Sequence, residues 1–490
     1  MPVESSMLIL ENFIRGSFVP NEGLGFIDSY DPSTGEVWAK VPDSGEVEVD
    51  RAVLAANNEF PRWSSKSPQE RASYLTKIAD LLEERLEDFA IAESRDSGKP
   101  VALAKALDIP RAIHNFRFFA SAVQHYLSTS SYNEQLGALN YVHRSPVGVA
   151  GLISPWNLPL YLLTFKIAPA LAAGCTVVAK PSEMTSVTTW MLCKVFQDAG
   201  LPAGVVNVVF GYGWKVGEAL VKHPDVPLIS FTGSTAVGQR IGQVSAPHCK
   251  KLSLELGGKN AAIIFDDADL DKVIPGCVKS SFLNQGEVCL CSSRIFVQRG
   301  IYDEFLQRFR EATKQYKVGV PTDASVNMGA LISEQHRDKV RGFVMLAESE
   351  GAVIECGGAE TPDHIPESHR NGYYLPPTII TNVSDTSSCM QDEIFGPVTC
   401  VVPFCDEEEA IARANNVKYG LCAVVWTRDL SRTHRLAQRL QVGTVWANCW
   451  LLRDLNMPFG GSKASGVGRE GAKESLDFFT ESRTICVKMD

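Results

Sequence analysis

Short apolar runs that end in turn residues alternate with longer amphipathic stretches over most of the chain, the pattern of an α/β protein. VGVAGLIS (147–154), TVVAKPSE (176–183), VVNVVFG (205–211) and PLISFTG (227–233) are nearly continuous in apolar residues. Strands of a sheet covered on both faces read that way. YLLTFKIAPALAAG (161–174) and TSVTTWMLCKVFQDAG (185–200) read as helices, each closed by a glycine that fits a left-handed cap. The order predicts βαβ units around a parallel sheet, with ligands at the carboxyl ends of the strands.

A second α/β run starts after residue 257. AAIIFDDADL gives a strand and a turn, 271–285 a helix ending at Gly286, SSRIFVQ another strand, and IYDEFLQRFREATKQY a helix with its apolar residues at helical spacing. Two segments depart from this alternation. YLSTSSYNEQLGALNYVHRSP (126–146) and the tail FFTESRTICVKMD (478–490) read as exposed β-ribbon of mixed polarity, and such edges predict a homo-oligomer. DEEEAIARANN (406–416) is an acid-rich helix start that suits the macrodipole and carries no chemistry.

Composition narrows the function. With 490 residues, 45% hydrophobic and 21% charged, the chain has the balance of a multidomain soluble protein. A net charge of −10 without a basic stripe speaks against nucleic acid as a partner. No apolar run approaches the ~20 residues of a membrane helix, and MPVESSMLILENFIRG lacks the features of a secretory signal, so a cytoplasmic protein without a membrane partner is expected. Thirteen scattered cysteines then predict reduced thiols.

Two of them, Cys289 and Cys291 in FLNQGEVCLCSS (282–293), stand on a turn before a strand. Their C-x-C spacing, with no second pair nearby, is unlike a structural zinc site, and no metal is expected. Alone, the pair is better explained by packing than by nucleophilic chemistry. Companions give it weight. LELGGK (254–259) puts Glu255 at a strand end before two glycines that allow close approach of a ligand. SPWNLPL (154–160) sets Asn157 in a proline-bounded turn, where its amide can donate to an oxyanion. KPSE (180–183) leaves Lys180 and Glu183 at a strand end suited to ribose hydroxyls, and FTGSTAVG (231–238) opens a helix whose N-terminus can face phosphate. A G-x-G-x-x-G fingerprint is absent.

Taken together, PWNLP, KPSE, FTGSTAVG, LELGGK, FLNQGEVC, EIFGPV (393–398) and FGGSKASGVGRE (459–470) resemble, in order and across most of the chain, the signature blocks of the NAD(P)-dependent aldehyde dehydrogenase superfamily. The resemblance implies a Rossmann-type cofactor domain (1–125 and 147–256), an α/β catalytic domain (257–456) and a small β oligomerisation ribbon (126–146 and 473–490), assembled as a tetramer of two dimers. It implies Cys289 as nucleophile, Glu255 as general base, and Asn157 with the Cys289 backbone N–H as oxyanion donors. It implies NAD as cofactor, held by Ile153, Ser154, Pro155, Trp156, Lys180, Ser182, Glu183, Gly213, Gly217, Phe231, Thr232, Gly233, Ser234, Val237, Leu256, Gly257, Glu393 and Phe395. An acidic Glu183 beside the ribose favours NAD over NADP. Two positions depart from the family's usual residues: Cys175, where Asn is commoner, and Glu287, where Gln is commoner.

The substrate implied is a small-molecule aldehyde, and the nearest resemblance is to a branch oxidising 2-aminomuconate 6-semialdehyde in the kynurenine pathway of tryptophan catabolism. A carboxylate at the far end of such a substrate wants guanidinium partners. Arg111 in DIPRAIHNFRFF and Arg453 in CWLLRDLNMPFGG match that branch's anchoring arginines. Ordinary solvated arginines are the plain alternative, and Phe118 and Phe119 read as core. Competing functions are oxidation of an apolar aldehyde such as retinal, a CoA-acylating enzyme, which the presence of Glu255 disfavours, and a catalytically silent crystallin-like protein.

Overall fold

Five parallel strands in the order Lys251–Glu255, Leu228–Thr232, Val149–Ile153, Thr176–Lys180, Val206–Val208 form the middle of an eight-stranded sheet. The chain runs outward from Val149–Ile153 in one direction and then returns to its other side with Leu228–Thr232, so the order reverses between these two strands. A crevice at that reversal is the place where an open α/β sheet binds ligands. The computed structural model that shows this describes residues 7–21, 23 and 25–489. Residues 1–6 of the N-terminal stretch and Asp490 of the tail lie outside the described residues.

The central strands Val149–Ile153, Thr176–Lys180 and Leu228–Thr232 are buried along nearly their whole length, and in the helix Pro159–Ala173 every residue but one is buried. It ends at Gly174 in the left-handed conformation, as the glycine predicts (φ 98°). Antiparallel Asn12–Ile14 and Ser17–Val19 extend one edge of the sheet. Gly466–Val467, from far along the chain, closes the other by pairing with Leu254 and Glu255.

A second, seven-stranded sheet is built from Val353–Cys356, Thr378–Thr381, Val398–Phe404, Ser292–Gln298, Asn260–Ile264, Cys422–Trp426 and Thr444–Ala447, parallel except for its first strand. The link between the sheets is four residues long, Leu256–Lys259. The carboxyl edge of the first sheet, where Glu255 ends its strand, therefore faces the amino edge of the second, where Cys289 precedes Ser292.

The two polar ribbons pair with each other inside one chain: Ala138–Pro146 runs antiparallel to Thr480–Lys488 along nine residue pairs, with Ser130–Asn133 outside. Among the described residues no helix is long and apolar enough to cross a membrane. The helix expected to run to Gly286 stops sooner, at Phe282. Asn284 and Gln285 take left-handed backbone angles (φ 52° and 59°), which no helix continues through.

Candidate active site

Beyond the carboxyl ends of Val149–Ile153 and Leu228–Thr232 lies a cavity of about 820 Å³. Fourteen of the eighteen positions expected to hold a dinucleotide line it, from Ile153–Trp156 through Lys180, Ser182 and Glu183 to Gly213, Gly217, Phe231–Ser234 and Val237. Lys180 Nζ donates to Glu183 at 2.7 Å, so the carboxylate is held at the wall. Ser234 caps the helix Thr235–Ser245 by accepting from the Val237 N–H, which leaves the helix N-terminus facing the cavity. Ser154 Oγ is buried without a hydrogen-bond partner. A large cleft with an orphaned hydroxyl, a helix N-terminus and an ion-paired carboxylate fits a nicotinamide dinucleotide. Trp214, Glu218 and Arg240 also line it, and Arg240 is paired with Glu218 at 2.6 Å.

The remaining four expected positions stand on the catalytic side. Leu256 is buried behind the cavity, and Glu393 accepts from the Gly258 N–H at 2.9 Å. Gly257 makes room for that carboxylate, since a Cβ there would lie 2.0 Å from Glu393 Oε2. The two glycines expected to let a ligand approach are thus used by the protein itself, Gly258 by the Cys289 carbonyl at 2.9 Å from where its Cβ would be. Phe395 sits at a positive φ of 61° with its ring against Trp156 (5.2 Å between centroids), and its carbonyl accepts from His336 Nε2 at 2.7 Å. Burial holds the His336 imidazole neutral, at about 4.

Cys289 is half-buried and Cys291 buried. Asn260 Nδ2 donates to both their carbonyls, at 2.7 and 2.9 Å, and its Oδ1 accepts from the Cys422 N–H. One buried amide therefore holds the turn by two bonds and ties it to the strand Cys422–Trp426 by a third. Burial pushes the Cys289 thiol well up, and the Glu393 and Glu255 carboxylates push it further, while Arg453 opposes them. The thiol rests protonated and needs a base.

Glu255 is the nearby candidate. Both its carboxylate oxygens are buried without a partner. Burial, then Glu470, raises its pKa well above the usual range, against the pull of Lys166, Arg453 and Arg469. Lys166 bridges Glu470 (3.0 Å) and Ser230 (3.1 Å) behind it. Asn157 Nδ2 donates to the Glu287 carbonyl at 2.8 Å. An amide nitrogen carries two N–H bonds, so the second stays free.

Arg453 is half-buried between Phe165 and Phe459, and donates to Tyr161 Oη at 3.1 Å. Its Nε and Nη2 are buried with no acceptor. Arg111, half-buried on the helix Ile109–Ala122, makes no hydrogen bond or ion pair among the described residues. Phe119 is fully buried against Phe165, so it is core, and its partner Phe165 carries the Arg453 guanidinium. Cys175 is buried, its thiol donating to the Phe479 carbonyl, remote from the cleft. Glu287 is buried and accepts from the Ile332 N–H at 3.0 Å, with burial raising its pKa far above a normal carboxylate.

Sequence reading missed Asn260, Asn284, Lys99, Trp214 and Arg240. Asn260 had a signal, an amide opening an otherwise apolar strand. The others had none, because their contacts join segments distant in the chain.

The chain matches the aldehyde dehydrogenase family profile over residues 18–485. It is 63% identical over 484 residues to 2-aminomuconic semialdehyde dehydrogenase of Homo sapiens, covering 99% of each chain. It is 44% identical over 485 residues to 2-aminomuconic 6-semialdehyde dehydrogenase of Pseudomonas sp, covering 98% of each. The solved NAD+ complex of aldehyde dehydrogenase from Bacillus cereus superposes with a TM-score of 0.94 at 38% identity, over 98% of this chain and 97% of that one.

Proposed function

The chain belongs to the aldehyde dehydrogenase family and is an oxidoreductase acting on aldehydes, and from that premise we propose that it oxidises 2-aminomuconate 6-semialdehyde to 2-aminomuconate with NAD. What carries the reading is Arg453, a guanidinium with two buried, unpartnered nitrogens, near enough to Cys289 and Glu255 to shift both. Buried donors without acceptors are costly unless a ligand supplies them, and a planar guanidinium suits a carboxylate. Arg111, without a partner of its own, is the second anchor. An apolar aldehyde such as retinal leaves these donors unsatisfied.

In this reading the Cys289 thiol gives its proton to Glu255, and its sulfur adds to the aldehyde carbon while the carbonyl electrons move to oxygen. Asn157 Nδ2 and the Cys289 N–H hold the oxyanion, a contact worth about 3 kcal/mol per donor. What a nicotinamide dinucleotide supplies when bound is the acceptor for the hydride released as the oxyanion collapses to a thioester. Glu255, once it has passed the thiol's proton on to solvent, takes a proton from water as the hydroxide oxygen adds to the thioester carbon, and the sulfur leaves as thiolate. Glu183 supports NAD over NADP, since its carboxylate repels a 2′-phosphate and Arg240 is already engaged by Glu218. A cytoplasmic homotetramer, with the paired ribbons as its contact surface, completes the reading; exposed Leu127, Tyr132 and Leu136 on or beside the ribbon support an interface there.

The test is NADH absorbance with freshly generated 2-aminomuconate 6-semialdehyde, retinal and propanal, each with NAD and with NADP. The semialdehyde with NAD should give the highest kcat/KM. A preference for retinal would remove the substrate assignment, and a flat trace with every aldehyde would leave only a silent structural protein.

A further inference from the structure

Three charged side chains, Glu93, Lys99 and Asp108, are fully buried beneath the turn that carries Asn157, and no step above uses them. Lys99 Nζ donates to Asp108 Oδ1 at 2.6 Å and to the Asn157 backbone carbonyl at 3.0 Å. Glu93 Oε1 accepts from the Leu160 N–H at 3.1 Å, and its Oε2 from Thr188 at 2.6 Å. Leu160 lies in the first turn of the helix Pro159–Ala173, whose own N-cap residue offers no side-chain cap. One end of the 157–160 turn is thus gripped through a carbonyl and the other through an N–H.

The same Asn157 carbonyl accepts a second bond, from Asn284 Nδ2 at 3.1 Å, and Asn284 Nδ2 also reaches the Glu287 carbonyl at 3.3 Å. Both lone pairs of the Asn157 oxygen are therefore taken. Asn284 makes this contact from a left-handed backbone, which costs of order 1–3 kcal/mol and persists where surrounding contacts fix it. The turn and the nucleophile loop come from different sheets, and Asn157 is tied to both: Lys99 holds its backbone, and Glu287 receives its side chain.

We propose that Lys99, clamped by Asp108, is a positioning residue that fixes Asn157 so that its free N–H meets the oxygen of the substrate attached to Cys289. The inference rests on Asn157 being the oxyanion donor. Burying an ammonium is expensive and a surface helix cap would stabilise the turn for less, which is the physical argument for a role beyond stability. A donor misplaced by a fraction of an ångström loses its advantage in the transition state and leaves substrate binding unaffected.

The test compares Lys99→Met, Asn157→Ala and the double variant by single-turnover NADH formation, NAD binding and the alkylation rate of Cys289 by iodoacetamide followed at its own peptide. Alkylation displaces iodide and forms no oxyanion, so positioning of Asn157 does not affect it. Lys99→Met should slow NADH formation by about 10- to 100-fold, less than loss of a whole oxyanion donor, with NAD binding and alkylation within about twofold. In the Asn157→Ala background it should add less than about a further twofold. Wild-type turnover in Lys99→Met, alkylation falling in step with turnover, or an undiminished effect in the Asn157→Ala background would each overturn the proposal. Wild-type turnover in Asn157→Ala alone would instead overturn the oxyanion role of Asn157. If Lys99→Met does not fold, Asp108→Asn, which keeps the ammonium and loosens its clamp, must show the same pattern in smaller degree, and unchanged turnover there would count against the proposal.

Discussion

The guanidinium carbon of Arg453 lies 3.9 Å from the ring centroid of Phe459 and 4.4 Å from that of Phe165, so the cation packs against two aromatics. These contacts hold the cation in place while two of its nitrogens stay unpartnered. Arg453→Met should lower kcat/KM for the carboxylated semialdehyde by about 100-fold and for propanal by less than about threefold, since one lost charge-assisted bidentate contact is worth about 3 kcal/mol. Lysine at this position should not restore the loss, because an ammonium offers no planar fork. Parallel losses on both aldehydes would show that Arg453 serves the fold.

Glu255 is predicted to act as a base with a raised pKa. A base works when deprotonated, so turnover should rise with pH through its elevated value, and activity should be depressed below it. Glu255→Gln should cut kcat by about 10²- to 10⁴-fold and abolish that rise. Kinetics followed upward in pH from the ordinary carboxylate range check both points.

The Lys180–Glu183 pair sets cofactor choice. Glu183→Gln removes the charge that repels a 2′-phosphate and frees the Lys180 ammonium to meet it. Use of NADP, as kcat/KM, should rise roughly tenfold, about 1.4 kcal/mol, while NAD use falls modestly through a weakened ribose contact. Steady-state assays with both cofactors measure the ratio, and an unchanged ratio would take Glu183 out of the selection.

Glu287 is buried with its pKa raised, so folding favours its neutral form. Its stabilising state is present below the unfolded value, about 4.3, and is lost as pH rises toward the folded value. Glu287→Gln cannot ionise and should escape this loss. Thermal unfolding should show the variant more stable than wild type by a few degrees near pH 8, with the difference closing toward pH 4–5. A variant less stable at pH 8 would mean that the ionised carboxylate is needed.

Much of this site was legible along the chain. Glu255 and Asn157 stand at or just past the end of an apolar run and Cys289 on the turn before one, where period and turn residues mark the strand edge, and most of the cofactor cavity follows from the same rule. The left-handed break at Asn284 was not legible. Nothing in FLNQG excludes one more helical turn, and the backbone bends there because contacts with Asn157 and Glu287 reward it. Arg453 was visible as a candidate, but its two empty donors appear only when Phe165, Phe459 and Tyr161 surround it.

By itself the sequence determined the α/β alternation and the strand ends, and likeness to a family singled out Cys289 over Cys291 as the candidate nucleophile. These are local properties, written in hydrophobic period and in short motifs. The tertiary structure alone decided which groups share a low-dielectric space: Lys99 under Asn157, Asn260 across the cysteine turn, Glu393 over Gly257. Electrostatic strength depends on distance and on exclusion of water, and neither is a property of residue order.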